Sequence, residues 1–224
     1  MRLRGASCAI AVAVLAAVVL YPSRARAEVT AHEQIVSLDF GVAVPFTKLA
    51  TNEEYWHPSL LQAKFAAAFP GFFIGGQYIY QLTPNIGVGA DLNYSDYGNA
   101  NRIVDGRTEN TSSYKLNYEA LGRYVFIPES KFNPYVILGV GLNSIHVNDT
   151  YGGVQGIDKT FTTLSASPGF GVETEIVKSV ILGFETRWRY LGHYALPAAG
   201  MTYAWGPASE ITAALRVGYK FGGK

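Results

Sequence analysis

The stretch LGFETRWRY at residues 182–190 carries a charge at every second position, Glu185, Arg187 and Arg189. Leu182, Phe184, Thr186, Trp188 and Tyr190 fill the positions between and at the ends. Wound as a helix, Glu185 and Arg189 would share one face, Arg187 would point nearly opposite, and no apolar face would form. Extended as a strand, one side is free of charge and the other holds both signs. The stretch is therefore read as a strand between two unlike environments.

The same alternation recurs in eight segments, at 36–46, 72–82, 86–94, 114–126, 136–142, 166–174, 182–190 and 211–221. One face of all eight carries no charge. The other carries the acids Asp39, Asp91, Glu119, Glu173, Glu185 and Glu210 and the bases Lys115, Arg123, Arg187, Arg189, Arg216 and Lys220. Short connections at 83–85, 127–133 and 175–179 alternate with long ones near 47–71, 96–113, 143–163 and 191–208. Pro84 and Pro128 mark two of the short ones as turns. Strict alternation of short and long connections predicts an all-β fold, an eight-stranded antiparallel up-and-down transmembrane β-barrel with both termini at the short-turn end.

The first 27 residues fit export. Arg2 and Arg4 precede an apolar run at 6–20, and Ala25 and Ala27 form an A-x-A site. The run is too short for a spanning helix and reads as a cleaved signal peptide. Residues 28–224 are then one barrel domain. Cys8, the chain's single cysteine, falls in the signal, so no disulfide is expected. Loss of Arg2, Arg4, Arg24 and Arg26 leaves 14 bases against 17 acids, a net charge of −3. That balance gives no footprint for nucleic acid.

A closed barrel satisfies its backbone between strands and so can cross lipid. The apolar face must point outward, because an arginine on the lipid side costs ~2–4 kcal/mol near the midplane. Aromatic rings at the strand ends form two girdles. Phe46, Phe72, Tyr94, Tyr114, Trp188 and Tyr190 lie on the loop side; Tyr80, Tyr124, Phe126, Tyr219 and Phe221 lie on the turn side. Eight strands leave a lumen just wide enough for side chains. The charges there are expected to pair, because an unpaired buried charge is expensive. Such a network is either a structural filling or a narrow conducting path. A soluble lipocalin-type barrel has the opposite polarity and would crowd its interior with Tyr78, Tyr118, Phe170, Phe184 and Trp188. The Gly-x-Gly runs at 87–93, 139–144 and 169–175 make inward room; no helix follows them, as a dinucleotide site requires. Pro168 cannot donate to a ladder, so a bulge or a strand end is expected there.

With its signal sequence, NPYVILGVGL (133–142), GFGVE (169–173), LGFETRWRY and the closing LRVGYKF (215–221), the chain resembles the small outer-membrane β-barrel family. This family comprises OmpA-like transmembrane domains and their OmpX-like and opacity-protein-like relatives. The resemblance covers the whole of 28–224 and implies a bacterial outer-membrane location with periplasmic termini. Implied partners are outer-membrane lipid and lipopolysaccharide, the barrel-assembly machinery during biogenesis, and host or phage molecules at the loops. A monomer is expected, without nucleic acid, and no peptidoglycan-binding domain is expected after the barrel. Family barrels end on an aromatic; Phe221 fits, followed here by Gly222, Gly223 and Lys224.

Chemistry-bearing motifs are sparse. His32, His57, His146 and His193 show no metal-ligand spacing. Barrel enzymes that modify lipid A use Ser, His and an acid at the loop rim, and His193 is the one histidine that could be forced into such a triad. Asp91, Asn93 and Ser95 imitate a calcium loop, but Asp96 stands where glycine is needed. No catalytic, cofactor or metal residue is assigned. The apolar segment at 52–69 is read as the upper part of the second strand or as a lateral opening for a hydrophobic ligand, as in OmpW-like channels. The expected function is structural and surface-interacting, with a narrow channel second and an enzyme third.

Overall fold

The computed structural model describes residues 29–45, 55–57, 60–63, 71–104, 107–192, 194–198, 201–205 and 209–223. In chain order the strands are β1 (Glu33–Pro45), β2 (Tyr55–His57), β3 (Leu60–Ala63), β4 (Gly71–Gln81), β5 (Ile86–Val104) and β6 (Arg107–Val125), then β7 (Asn133–Tyr151), β8 (Val154–Val177), β9 (Val180–Tyr190), β10 (Tyr194–Ala198), β11 (Met201–Trp205) and β12 (Ser209–Gly222). Eight of them close a barrel in the order β1-β12-β9-β8-β7-β6-β5-β4, with β4 pairing back onto β1. Each neighbour is antiparallel. The pairs β2–β3 and β10–β11 are separate small hairpins.

The stagger follows from the register. A row of paired residues starting at Gln81 runs through Gly87, Arg123, Ile137, Gly169, Arg187, Thr212 and Ala43 and returns to β4 at Gly71. It comes back ten residues from where it began. Such a stagger tilts the strands steeply and fixes a narrow barrel. Every residue of that row points inward.

Alternation holds along each wall. On β9 the charged residues are buried while Phe184 and Trp188 are exposed at 40% and 48%. On β1, Val36, Leu38, Phe40, Val42 and Val44 are exposed and Ser37, Asp39 and Ala43 are buried. Thr174, on the expected outward parity, is nevertheless buried where β8 approaches an irregularity between Glu175 and Val177.

Three expectations are corrected. The stretches 96–113 and 143–163 are not loops: β5–β6 and β7–β8 pair to within two residues of their tips. Gly152 and Gly153 turn the second hairpin with φ of 57° and 80°, where glycine carries no Cβ penalty. Outward positions here are filled by polar residues such as Asp96, Ser144, His146, Thr160 and Thr162, so no apolar outward face marks these stretches as strand. Pro168 brings no bulge. The β8–β9 register is the same on either side of it, and its missing N–H falls near the loop-side end of that ladder. Residues 55–57 and 60–63 are not the top of the second strand; they pair with each other as β2 and β3. The rest of 52–69, with Phe46, His193 and residues 1–28, lies outside the described residues.

The start of β1 and the end of β12 sit beside the short turns, since Glu33 pairs with Gly222. The lumen also departs from an all-polar interior. Val29, Ile35, Ile79, Leu121, Val125, Tyr135, Ile137 and Ile181 pack together near the turn end. Ala43, Phe73, Tyr97 and Ala214 pack together nearer the loop end.

Candidate functional site

The chemistry of the lumen comes from strands that face each other. In an eight-strand ring, strands four places apart lie across the diameter, which pairs β6 with β12 and β9 with β5. Lys115 of β6 reaches across to Glu210 of β12 and pairs with it. Arg187 and Arg189 of β9 reach Asp91 of β5 at 3.2 and 3.3 Å. All twelve sequence-predicted charges are at most 5% exposed, and each has an opposite charge within ion-pair distance.

Nine of them form one connected chain. Glu210 joins Lys115 to Arg189, 3.6 Å from it. Arg189 joins Asp91 and, at 3.8 Å, Glu119. Arg187 lies 3.2 Å from both Asp91 and Glu119 and donates from Nε to Glu185 at 2.6 Å. Glu185 pairs with Arg216 at 2.6 Å, and Arg216 donates to both oxygens of Asp39 at 2.8 and 3.2 Å. Two satellites flank the chain. Arg123 pairs with Glu173, and Lys220 lies between Glu33 and Glu175 at 3.5 and 3.7 Å.

Neutral groups add further hydrogen bonds. Ser165 and Ser167 donate to the two oxygens of Glu119 at 2.9 and 2.7 Å. Tyr97 donates to Glu210 at 2.5 Å, and Asn93 donates to Asp91 at 2.6 Å. Tyr135 accepts from Arg216 at 2.7 Å and donates to Glu185 at 2.8 Å. Its ring also lies 4.1 Å beneath the Arg123 guanidinium, and the Phe73 ring lies 5.3 Å from that of Arg189. Cation–π contacts of this kind grow stronger once the cation is desolvated. Glycine makes the room. A Cβ on Gly139 would collide with Ser167 and Glu119, and one on Gly171 would collide with the Tyr135 ring.

Tyr97, Tyr135, Glu33 and Glu175 were missed by sequence reasoning. Tyr135 had a usable signal, because it shares the inward parity of Ile137, Gly139 and Gly141. Asp91, Asn93 and Ser95 point together into the lumen as successive inward residues of β5, not as a cation loop.

The aromatics of the proposed girdles point outward. Phe72, Tyr114, Tyr124, Phe126, Trp188, Tyr219 and Phe221 are exposed, and Tyr80, Tyr94 and Tyr190 are half-buried. Tyr94, Tyr114 and His146 form a row across β5, β6 and β7, with centroid spacings of 5.8 and 4.7 Å. His146 lies on a strand, not in a loop. Its Nε2 is 3.4 Å from Asp158 and its Nδ1 is 3.2 Å from the Thr160 hydroxyl. Among the described residues no group of three His, Cys, Asp or Glu could hold a metal ion.

Comparison with known proteins agrees with this architecture. The neisserial surface protein NspA is 18% identical, with a TM-score of 0.52; the match covers 84% of this chain and 97% of that one. OprG of Pseudomonas aeruginosa is 12% identical, with a TM-score of 0.53, covering 88% and 99%. At these identities the likeness is one of fold. No curated protein sequence matches the chain. The family model described as the outer membrane protein beta-barrel domain matches residues 8–221. The chain therefore belongs to the outer membrane β-barrel domain family, whose place is the bacterial outer membrane.

Proposed function

We propose that the protein is a monomeric, non-conducting anchor whose lumen is filled and whose tall hairpins serve as an interaction surface, without catalysis. The observation that carries this reading is the meeting of opposite walls at the centre. Side chains of β9 and β5, and of β6 and β12, touch across the full diameter. Breaking such a buried pair by removing one partner is costly, so the filling resists displacement. The interaction surface is supported by strand length. β5, β6 and β7 have 19 residues and β8 has 24, against 11 in β4 and β9. Only strands of this excess length carry a hairpin far beyond lipid.

In this reading residues 1–27 are removed on export and both termini face the periplasm. The outward rings of Phe72, Tyr80, Tyr94, Tyr114, Tyr124, Phe126, Trp188, Tyr190, Tyr219 and Phe221 sit at the two lipid boundaries, against outer-membrane lipid and lipopolysaccharide. The assembly machinery acts on the closing strand β12, and host or phage molecules meet the hairpin tips.

Conductance in a planar bilayer tests the filled lumen. Wild type, Arg187→Ala and Glu185→Ala should all be silent or show rare flickers of one kind. Steady currents whose ion selectivity changes with these residues would make the protein a channel instead.

A further inference from the structure

The short-turn mouth of the barrel is crossed by the chain itself. β1 and β7 face each other across the ring, and the β6–β7 turn lies on the far side from β1. Yet Val29, four residues before β1, donates its N–H to the Pro128 carbonyl of that turn at 2.9 Å. Four extended residues reach about 13 Å, the order of a narrow barrel's width.

The path is fixed along its length. His32 turns the chain inward at φ 63°, a left-handed conformation that a non-glycine residue holds only when its surroundings enforce it. It is held by its N–H to the Gln81 carbonyl at 2.7 Å and by Nδ1 beside the Tyr80 hydroxyl at 2.8 Å. The dock is built in advance. Asn133, fully buried, donates to the carbonyls of Ile127, Pro128 and Ser130 at 2.9, 3.2 and 3.0 Å and so sets the turn that receives Val29. The residues after Phe221 press on the same segment. Gly222 and Gly223 have φ of 73° and 76°; a Cβ on Gly223 would strike the Thr30 hydroxyl.

The Val29 side chain is 2% exposed and joins Ile35, Ile79, Leu121, Val125, Ile137 and Ile181. These residues fill space left by inward glycines. A Cβ on Gly87 or Gly89 would come within 2.9 or 2.8 Å of Ile79, and one on Gly218 within 2.8 Å of Ile181. An apolar collar of this kind excludes water and ions at a constriction.

We propose that residues 29–32 are a strap that seats Val29 in this collar and seals the lumen from the short-turn side. The inference rests on the closed-lumen reading above and adds where the closure is made.

Ser37 reports on it. It lies on the inward face of β1, two residues past Ile35, and is 3% exposed. In a Cys8→Ala background, Ser37→Cys supplies the single thiol. The full-length exported barrel is then treated with a charged, membrane-impermeant methanethiosulfonate. With the strap intact, Cys-labelling should be absent or slow. Val29→Asp should raise the rate by about tenfold or more, as expected when a local seal opens. Val29→Gly keeps the backbone bond and removes only the seal; it should give a smaller rise and serves if Val29→Asp does not assemble. Heat-modifiable gel migration identifies folded barrels in each case. Fast labelling with the strap intact, or equally slow labelling in the folded Val29 variants, overturns the strap. Wild-type conductance is measured beside it: a conducting wild type sinks the closed-lumen reading, whereas a silent wild type with strap-independent labelling sinks the strap alone.

Discussion

Arg187 touches three carboxylates, Asp91, Glu119 and Glu185, and is only 2% exposed. Arg187→Ala leaves those acids short of a cation and should cost roughly 3–5 kcal/mol, read from urea unfolding of the folded barrel. Lys115 and Glu210 make the opposite case. Each single change to Met should destabilise strongly, whereas the double change Lys115→Met with Glu210→Met should recover much of the loss, because no charge of that pair is then stranded. Equal costs for the single and double variants would refute this; Arg189, which also touches Glu210, then gains the larger share of the interaction. At this scale the sequence was readable by parity alone. Each of the twelve charges sits where the alternation put it. The lumen tyrosines were not readable by residue type, since Tyr135 inside and Tyr124 outside are the same letter and differ only in parity.

Strands show what alternation can and cannot reveal. Within the barrel one face meets apolar surroundings, so the period of two is plain in β1, β4, β9 and β12. Beyond the rim the outward face of β5–β8 turns polar, and the signal fades while the pairing continues, as in Thr111↔Asp149 and Ser112↔Asn148. Depth along one strand gives a direct check. Arginine placed at Leu38 or Phe40, mid-strand on the outward face, should cost ~2–4 kcal/mol, and at Phe221, by the turn-side end, ~0–1 kcal/mol. A flat profile in refolding titrations would mean that this face does not cross hydrocarbon. The tip of β7–β8 should tolerate change. A short epitope inserted between Gly152 and Gly153 should leave the barrel folded and be bound by antibody on intact cells, since exposed tips accept insertions.

At the scale of the whole molecule, the barrel plan was legible from its connections. Short and long links in alternation gave the number of barrel strands and put the start of the first and the end of the last at one side, as the Glu33–Gly222 pairing does. The ten-residue stagger and the apolar collar were not legible. Stagger depends on which residues pair, and Val29 carries no sign in the sequence that it folds back beneath the mouth. The tall β7–β8 hairpin also sets how the molecule bears a load. A pull on its tip draws both strands the same way, so their mutual bonds carry little of it. The load passes instead sideways into β6 and β9, along ladders running from Glu109↔Tyr151 to Val125↔Tyr135 and from Ala166↔Tyr190 to Val177↔Val180. Those bonds are strained together in shear and not peeled one at a time, which gives a grip at the tip a mechanically stiff mooring in the membrane.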